Sequence, residues 1–208
     1  MGYDILVAVT FVVLTPVVIA GFIVFWIVNA RDHEELAALW RGYAKKRGLD
    51  FVEPEGDWPN RTAPVITWSD ELAELRITSI GREARVRTRL VIRPRSTLLG
   101  TLMMVVDAAG AGDVELRERP AGFRQRIVTE DVRRMLLGFR QRDRITVRYR
   151  RGRITVEWPG GERNDARLDE ARRLGEEMGR TVDREFRATA LAGDQTCMVL
   201  RGEEARGR

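Results

Sequence analysis

Arginine stands at positions 82, 85, 87, 89, 93 and 95 within the stretch REARVRTRLVIRPR. A β-strand returns to the same face every second residue, so this spacing predicts a strand with a cationic side. Guanidinium groups arrayed in this way can take up phosphate, a lipid headgroup or the carboxylates of an acidic partner.

Pairing the run with Leu72 to Ile80 through a turn at Gly81-Arg82 sharpens the expectation. It sets Thr78 opposite Arg85, Arg76 opposite Arg87, Glu74 opposite Arg89 and Asp70 opposite Arg93. Two arginines then face carboxylates, in exposed pairs worth at most about 1 kcal/mol each. Arg76, Arg85 and Arg87 remain as crowded like charges that an outside anion would relieve, which makes them candidate anion-binding or partner-binding residues. The competing reading is a solvated sheet face. Arginine is the default base of this chain, since all but Lys45 and Lys46 of its 36 basic residues are arginine. Those two lysines and Arg47 form a second candidate group, for lipid or for a partner at the membrane, although the same run also suits a helix stop.

Other chemistry finds no support in the residues. The chain contains no G-x-x-x-x-G-K-S/T or G-x-G-x-x-G phosphate cradle, no G-x-S-x-G elbow and no H-E-x-x-H. Its one histidine, His33, stands beside the apolar segment and its one cysteine, Cys197, in the expected tail, with no second of either, so the usual nucleophile pairs, zinc ligands and internal disulfides are not expected. His33, in the charged run RDHEE, is expected to be a solvated helix residue. Carboxylate pairs such as Asp165 with Asp169 and Glu176 with Glu177 fall in an arginine-laced helix, where i,i+4 charge pairing explains them. The reading is therefore no enzyme, no cofactor and no metal. Nucleic acid is the weaker partner, because no aromatic is interleaved on the arginine face and the net charge is only +5.

The elements that would position these residues begin with an apolar segment. Ile5 to Val28 carries no charge, and as a helix it would be about 36 Å long, enough for a hydrocarbon layer of about 30 Å. No Lys or Arg precedes it and it exceeds the roughly 7–15 residues of a signal-peptide core, so a retained transmembrane helix is expected. Arg31, Arg41, Lys45, Lys46 and Arg47 follow the span, which predicts an outside N-terminus and a cytoplasmic domain in the cell membrane. Next comes HEELAALWRGYAKKRG, with Leu36, Leu39, Trp40 and Tyr43 at helical spacing. This helix could dock on the domain, lie on the membrane or pair with another copy.

Beyond a proline-rich loop the pattern turns to strands. Val65 to Trp68, Leu72 to Ile80, Glu83 to Arg93 and Thr101 to Val106 are candidates, followed by a helix over Thr129 to Phe139. RITVRYRRGRITVEW reads as a hairpin turning at Arg151-Gly152, with Tyr149 facing Ile154 and Val147 facing Val156. A last helix runs from about Asp165 to Phe186, with Leu168, Ala171, Leu174, Met178, Val182 and Phe186 on one side. The expected fold class is α+β: an N-terminal single transmembrane helix, then a mostly antiparallel sheet with two covering helices. Residues 1–30 would be the anchor, 31–48 a juxtamembrane amphipathic helix, 49–187 the soluble domain and 188–208 a largely disordered tail.

The expected function is a membrane-anchored binding or scaffolding module whose partner is an anionic lipid surface or another membrane protein. The alternative is an envelope-side structural domain, periplasmic or external, of a membrane complex.

Overall fold

The chain runs as one unbroken helix, α1, from Gly2 to Arg47. The computed structural model describes residues 2–56, 61–70, 73–80, 86–107, 112–139, 144–191 and 198–200. In the first half of α1, Val17, Val18, Phe22, Ile23, Val24, Ile27 and Val28 are all exposed. Consecutive helical positions point about 100° apart, so exposure of all of them means that no face is buried between Val17 and Val28 among the described side chains. It is one helix long and apolar enough to cross a membrane. Pro16 lies inside it, where the ring removes one intrahelical hydrogen bond without ending the helix.

The second half of α1 is amphipathic and belongs to the domain core. Leu36, Ala37, Trp40, Tyr43 and Ala44 are buried, whereas Leu39 is exposed and falls outside the expected face. The Trp40 indole donates to the Glu162 carbonyl at 2.7 Å and the Tyr43 hydroxyl donates to Asp169 Oδ1 at 2.9 Å. Of the three fates open to this segment, docking on the domain is the one observed. The anchor and the juxtamembrane helix are one element, because nothing at Asn29-Ala30 interrupts the backbone ladder and strong helix formers follow it. Lys45, Lys46 and Arg47 occupy its last turn and Gly48, at φ +65°, closes it.

Eight strands form one antiparallel sheet in the order β1-β2-β3-β4-β9-β8-β6-β7. They are β1 (Asp50–Val52), β2 (Val65–Ser69), β3 (Ala73–Ile80), β4 (Arg87–Pro94), β6 (Thr101–Asp107), β7 (Gly112–Arg119), β8 (Arg144–Arg150) and β9 (Arg153–Pro159). A meander, β1 to β4, thus meets the β8–β9 hairpin, which is inserted beside the β6–β7 hairpin. The β8–β9 hairpin has the expected register, with Tyr149 facing Ile154 and Val147 facing Val156. Its turn residues Arg151 and Gly152 both have positive φ, 51° and 68°, as a tight twisted hairpin turn requires.

The β3–β4 register differs from the expectation by four residues. Ile77 faces Leu90, Leu75 faces Ile92, Glu74 faces Arg93, and Arg76 faces Val91 instead of Arg87. A shift by an even number keeps every side chain on its expected face, so the core assignment stands while the opposed arginines do not.

The helices cover one face. The long helix α4 (Asp165–Leu191) buries the expected stripe of Leu168, Ala171, Leu174, Met178 and Val182, with Phe186 partly buried. The helix α3 (Glu130–Phe139) starts at Thr129, whose hydroxyl accepts from the Val132 amide at 3.4 Å, and buries Val132 and Leu136. Two further pieces join them: the docked half of α1 and a short α2 (Phe123–Ile127), which buries both of its end residues. These helices and the sheet residues Leu75, Ile77, Leu90, Ile92, Val147, Ile154, Val156 and Trp158 enclose the core. The fold is α+β. Of the tail expected over 188–208, residues 188–191 continue α4 to Leu191 and β10 (Met198–Leu200) pairs with β5 (Ser96–Leu98) in a second, two-stranded sheet, while 192–197 and 201–208 lie outside the described residues.

Candidate functional site

A strand that turns Leu75, Ile77, Leu90, Ile92, Ile154 and Val156 under the helices must turn the residues between them the other way. On that second face no described helix packs, and Arg76, Arg87, Arg148, Arg150 and Arg153 are exposed there. The register aligns them. One row crosses the sheet as Asp50, Thr67, Arg76, Val91, Thr155, Arg148, Met103 and Arg117. Alongside it, Glu74 faces Arg93 on one side of the sheet, while Arg153 faces Arg150, Arg150 faces Thr101 and Thr101 faces Arg119 on the other. With strands about 4.8 Å apart, the face is roughly 34 Å wide.

One buried carboxylate organises its middle. The Glu157 side chain is only 5% exposed, and Arg89 Nε donates to its Oε1 at 2.8 Å. Arg87 and Arg148 stand further off, at 3.9 and 4.0 Å. Arg89 is therefore held in a strong charge-assisted bond, and the other two are drawn in by charge alone. Val91 is 3% exposed although it lies on the open face. Its neighbours there are Arg89 and Arg93 along the strand and Arg76 across it, three side chains whose aliphatic stems are long enough to cover it.

Towards Arg153 the compensation ends. Glu74 lies 3.4 Å from Arg93, but among the described residues no carboxylate pairs with Arg76 or Arg153. Burial first, and then the charges of Arg93, Arg89 and Arg76, hold the Arg153 guanidinium below the ordinary arginine range. The face contains hydroxyls, at Thr67, Thr155 and Thr101, but no aromatic among the described residues, because Trp68, Tyr149 and Trp158 point into the core. This arrangement can bind an anion. It holds no nucleophile paired with a base, and among the described residues no cluster of His, Cys, Asp and Glu is suited to a metal.

The residues singled out from sequence separate into two places. Arg76 and Arg87 lie on the open face, and Arg85 lies outside the described residues. Lys45, Lys46 and Arg47 end α1 on the helical side. There Lys46 pairs with Asp165 at 3.2 Å and Arg47 grips Asp169 through Nε and Nη2, while Lys45 is exposed. Two of these three cations are thus bolts between α1 and α4. His33 is partly buried instead of solvated.

Arg89, Arg93, Arg148, Arg150, Arg153 and Glu157 are the additions. For the last four the signal is present in RITVRYRRGRITVEW, where arginine alternates with the apolar residues of a correctly read hairpin, while Arg89 and Arg93 belong to the arginine strand itself. Continuing that alternation to the opposite face would have gathered them.

Compared with protein-family models, curated proteins and solved structures, the chain matches none.

Proposed function

We propose that the protein is a single-pass, membrane-anchored binding or scaffolding module without enzymatic activity. Its sheet domain lies on the cytoplasmic side, and the open arginine face is the binding surface. The observation that carries this reading is α1, whose described side chains from Leu14 to Val28 are apolar and exposed on every side and which continues without a break into the segment that Trp40 and Tyr43 fasten to the domain. So much apolar surface is stable only out of water, and its length suits a hydrocarbon layer of about 30 Å.

The absence of Lys and Arg from MGYD, against Arg31, Arg41 and Lys45 to Arg47 after the span, favours a cytoplasmic domain. With Lys46 and Arg47 tied to α4, this run acts during insertion, before the domain folds. Anchoring raises the local concentration of the domain at the bilayer, so that modest contacts suffice for a membrane-associated partner.

The test is topology. The full chain is fused at its C-terminus to a reporter active only in the cytoplasm and, separately, to one active only outside, and membranes are washed with alkaline carbonate. The expected result is a cytoplasmic signal from a chain that stays in the pellet. Release by carbonate would overturn the anchor. An external signal would overturn the orientation and leave the envelope-side structural domain as the reading.

A further inference from the structure

We propose that the open arginine face is a lateral docking surface for an acidic protein, held upright beside the bilayer, with Arg76, Arg93 and Arg153 at the end of the face away from Val86. The proposal rests on the reading of α1 as the anchor and names the partner that this anchor allows.

Geometry decides against the lipid. The docked half of α1 lies on the helical side of the sheet. Trp40 and Tyr43 are in the core, Tyr43 bonds Asp169 of α4, and Gly175 of the same α4 lies against Leu75, Leu90 and Ile92. A helix packed on a sheet lies in a layer parallel to it. A continuous α1 crossing the bilayer near its normal therefore stands the sheet on end, and the arginine face looks sideways along the membrane surface. Three ties resist tipping: Trp40 to Glu162, Lys46 to Asp165 and Arg47 to Asp169. The Arg93 end of β4 also lies about 20 Å along the strand from Val86, the end that approaches Leu36 of α1 around Gly161. The bilayer that holds α1 cannot cover that far end of the face.

Charge decides among the remaining occupants. A second copy presenting the same face would set arginine against arginine, so symmetric self-association through it is disfavoured. Single-stranded nucleic acid lacks a stacking platform, since the face has no aromatic among the described residues. The arginine heads, with threonine hydroxyls among them and the Arg153 charge already crowded by three others, fit a surface of carboxylates. Glu157 pre-sets the Arg89 fork from below, so the face is not a loose fringe of solvated side chains.

The test uses the full chain in nanodiscs of neutral phosphatidylcholine, with fluorescent polyglutamate as the probe. Three comparisons run beside it: duplex DNA as a second probe, discs containing phosphatidylserine, and a control variant. Arg93→Gln with Arg153→Gln removes two charges from the face, and Arg167→Gln with Arg173→Gln removes two from the exposed side of α4. The expected result is about tenfold weaker polyglutamate binding for the face variant and little change for the control, with phosphatidylserine leaving the probe in place. Equal losses in the two variants would reduce the effect to net charge and overturn the proposal. Selective loss of DNA binding in the face variant would reassign the face to nucleic acid, and displacement of the probe by phosphatidylserine would reassign it to lipid. If the chain does not enter discs, the anchoring reading falls on its own, and the same titration in solution still decides the surface.

Discussion

The indole nitrogen of Trp40 donates to the carbonyl oxygen of Glu162 at 2.7 Å, in a buried contact between residues 122 positions apart. The Glu162 amide in turn donates to Thr88 Oγ1 at 2.9 Å, and that hydroxyl donates to the Gly160 carbonyl at 2.8 Å. A polar chain thus leads from α1 through the β9–α4 loop into β4. Trp40→Phe keeps most of the ring contacts but removes the indole donor from this buried carbonyl, a loss of about 1–3 kcal/mol. Trp40→Ala adds a cavity and should reach about 3–5 kcal/mol. Urea midpoints of the full chain in detergent should fall in that order, and an unshifted Phe variant would show that the bond contributes nothing.

Two helical glycines should respond to the same substitution with opposite signs. Gly42, on α1, has nothing within 4 Å of an added Cβ, so Gly42→Ala should stabilise by up to about 1 kcal/mol through helix propensity. At Gly175, on α4, the added methyl would run into Leu75 Cδ2 and stand 3.4 Å from Leu90 Cδ2. Leu75 is fully buried, so it cannot swing away, and overpacking of about 1–3 kcal/mol should exceed the propensity gain. Thermal midpoints of the two variants, measured side by side, check the contrast.

The same packing shows what could be read from the residues alone. The alternation of Ile145, Val147 and Tyr149 with arginines, closed by Arg151-Gly152, has a single self-consistent pairing, and that pairing is the one observed. The β3–β4 pair was harder. Its alternation is satisfied by any even shift, and only the connection length, here 81–86, distinguishes them, so the faces were legible and the partners of Arg76 and Arg87 were not. The strand β7 escaped notice because it is an edge strand whose VELRER alternates charges where a buried strand would alternate apolar residues. β1 and β5 are three residues each, too short to show a period. Lys46 and Arg47 looked like a lipid signal because their partners, Asp165 and Asp169, lie more than a hundred residues away and come into reach only through the packing of α1 on α4.

Glu157 should be worth more to the fold than the exposed ion pairs around it. Glu157→Gln keeps the shape, removes the charge beneath Arg89 and should destabilise by about 1–3 kcal/mol. A double-mutant cycle separates its partners. Coupling to Arg89, at 2.8 Å, should be about 1–2 kcal/mol, and coupling to Arg148, at 4.0 Å, below about 0.5 kcal/mol. Equal couplings would mean that the carboxylate acts on the whole face as a diffuse charge.

Tyr149 should set part of the alkaline limit of stability. Its hydroxyl donates to the Leu98 carbonyl at 2.7 Å and accepts from the Leu98 amide at 2.9 Å, and its ring lies 5.2 Å from that of Phe123. Burial pushes this phenol up to about 12, against the backbone donors at Leu98 and Gly152, which favour the ionised form. The unfolded chain has the ordinary tyrosine value of about 10, so it loses the proton first. The contribution is fully present below about pH 10 and is lost as pH rises towards about 12, because ionisation then favours the unfolded chain. Unfolding free energy of the full chain in detergent should therefore be flat up to about pH 10 and slope downward above it. Tyr149→Phe should lower the plateau by about 1–3 kcal/mol, since Leu98 loses both of its partners, and should make the alkaline slope shallower. Phenolate absorbance gives an independent check: Tyr43 and Tyr149 are both pushed above the ordinary tyrosine value by burial, so two late components are expected in the folded wild type and one of them should be absent from the variant. An unchanged slope would place the alkaline limit elsewhere, in which case the Tyr149 hydroxyl matters to the fold only through its two hydrogen bonds.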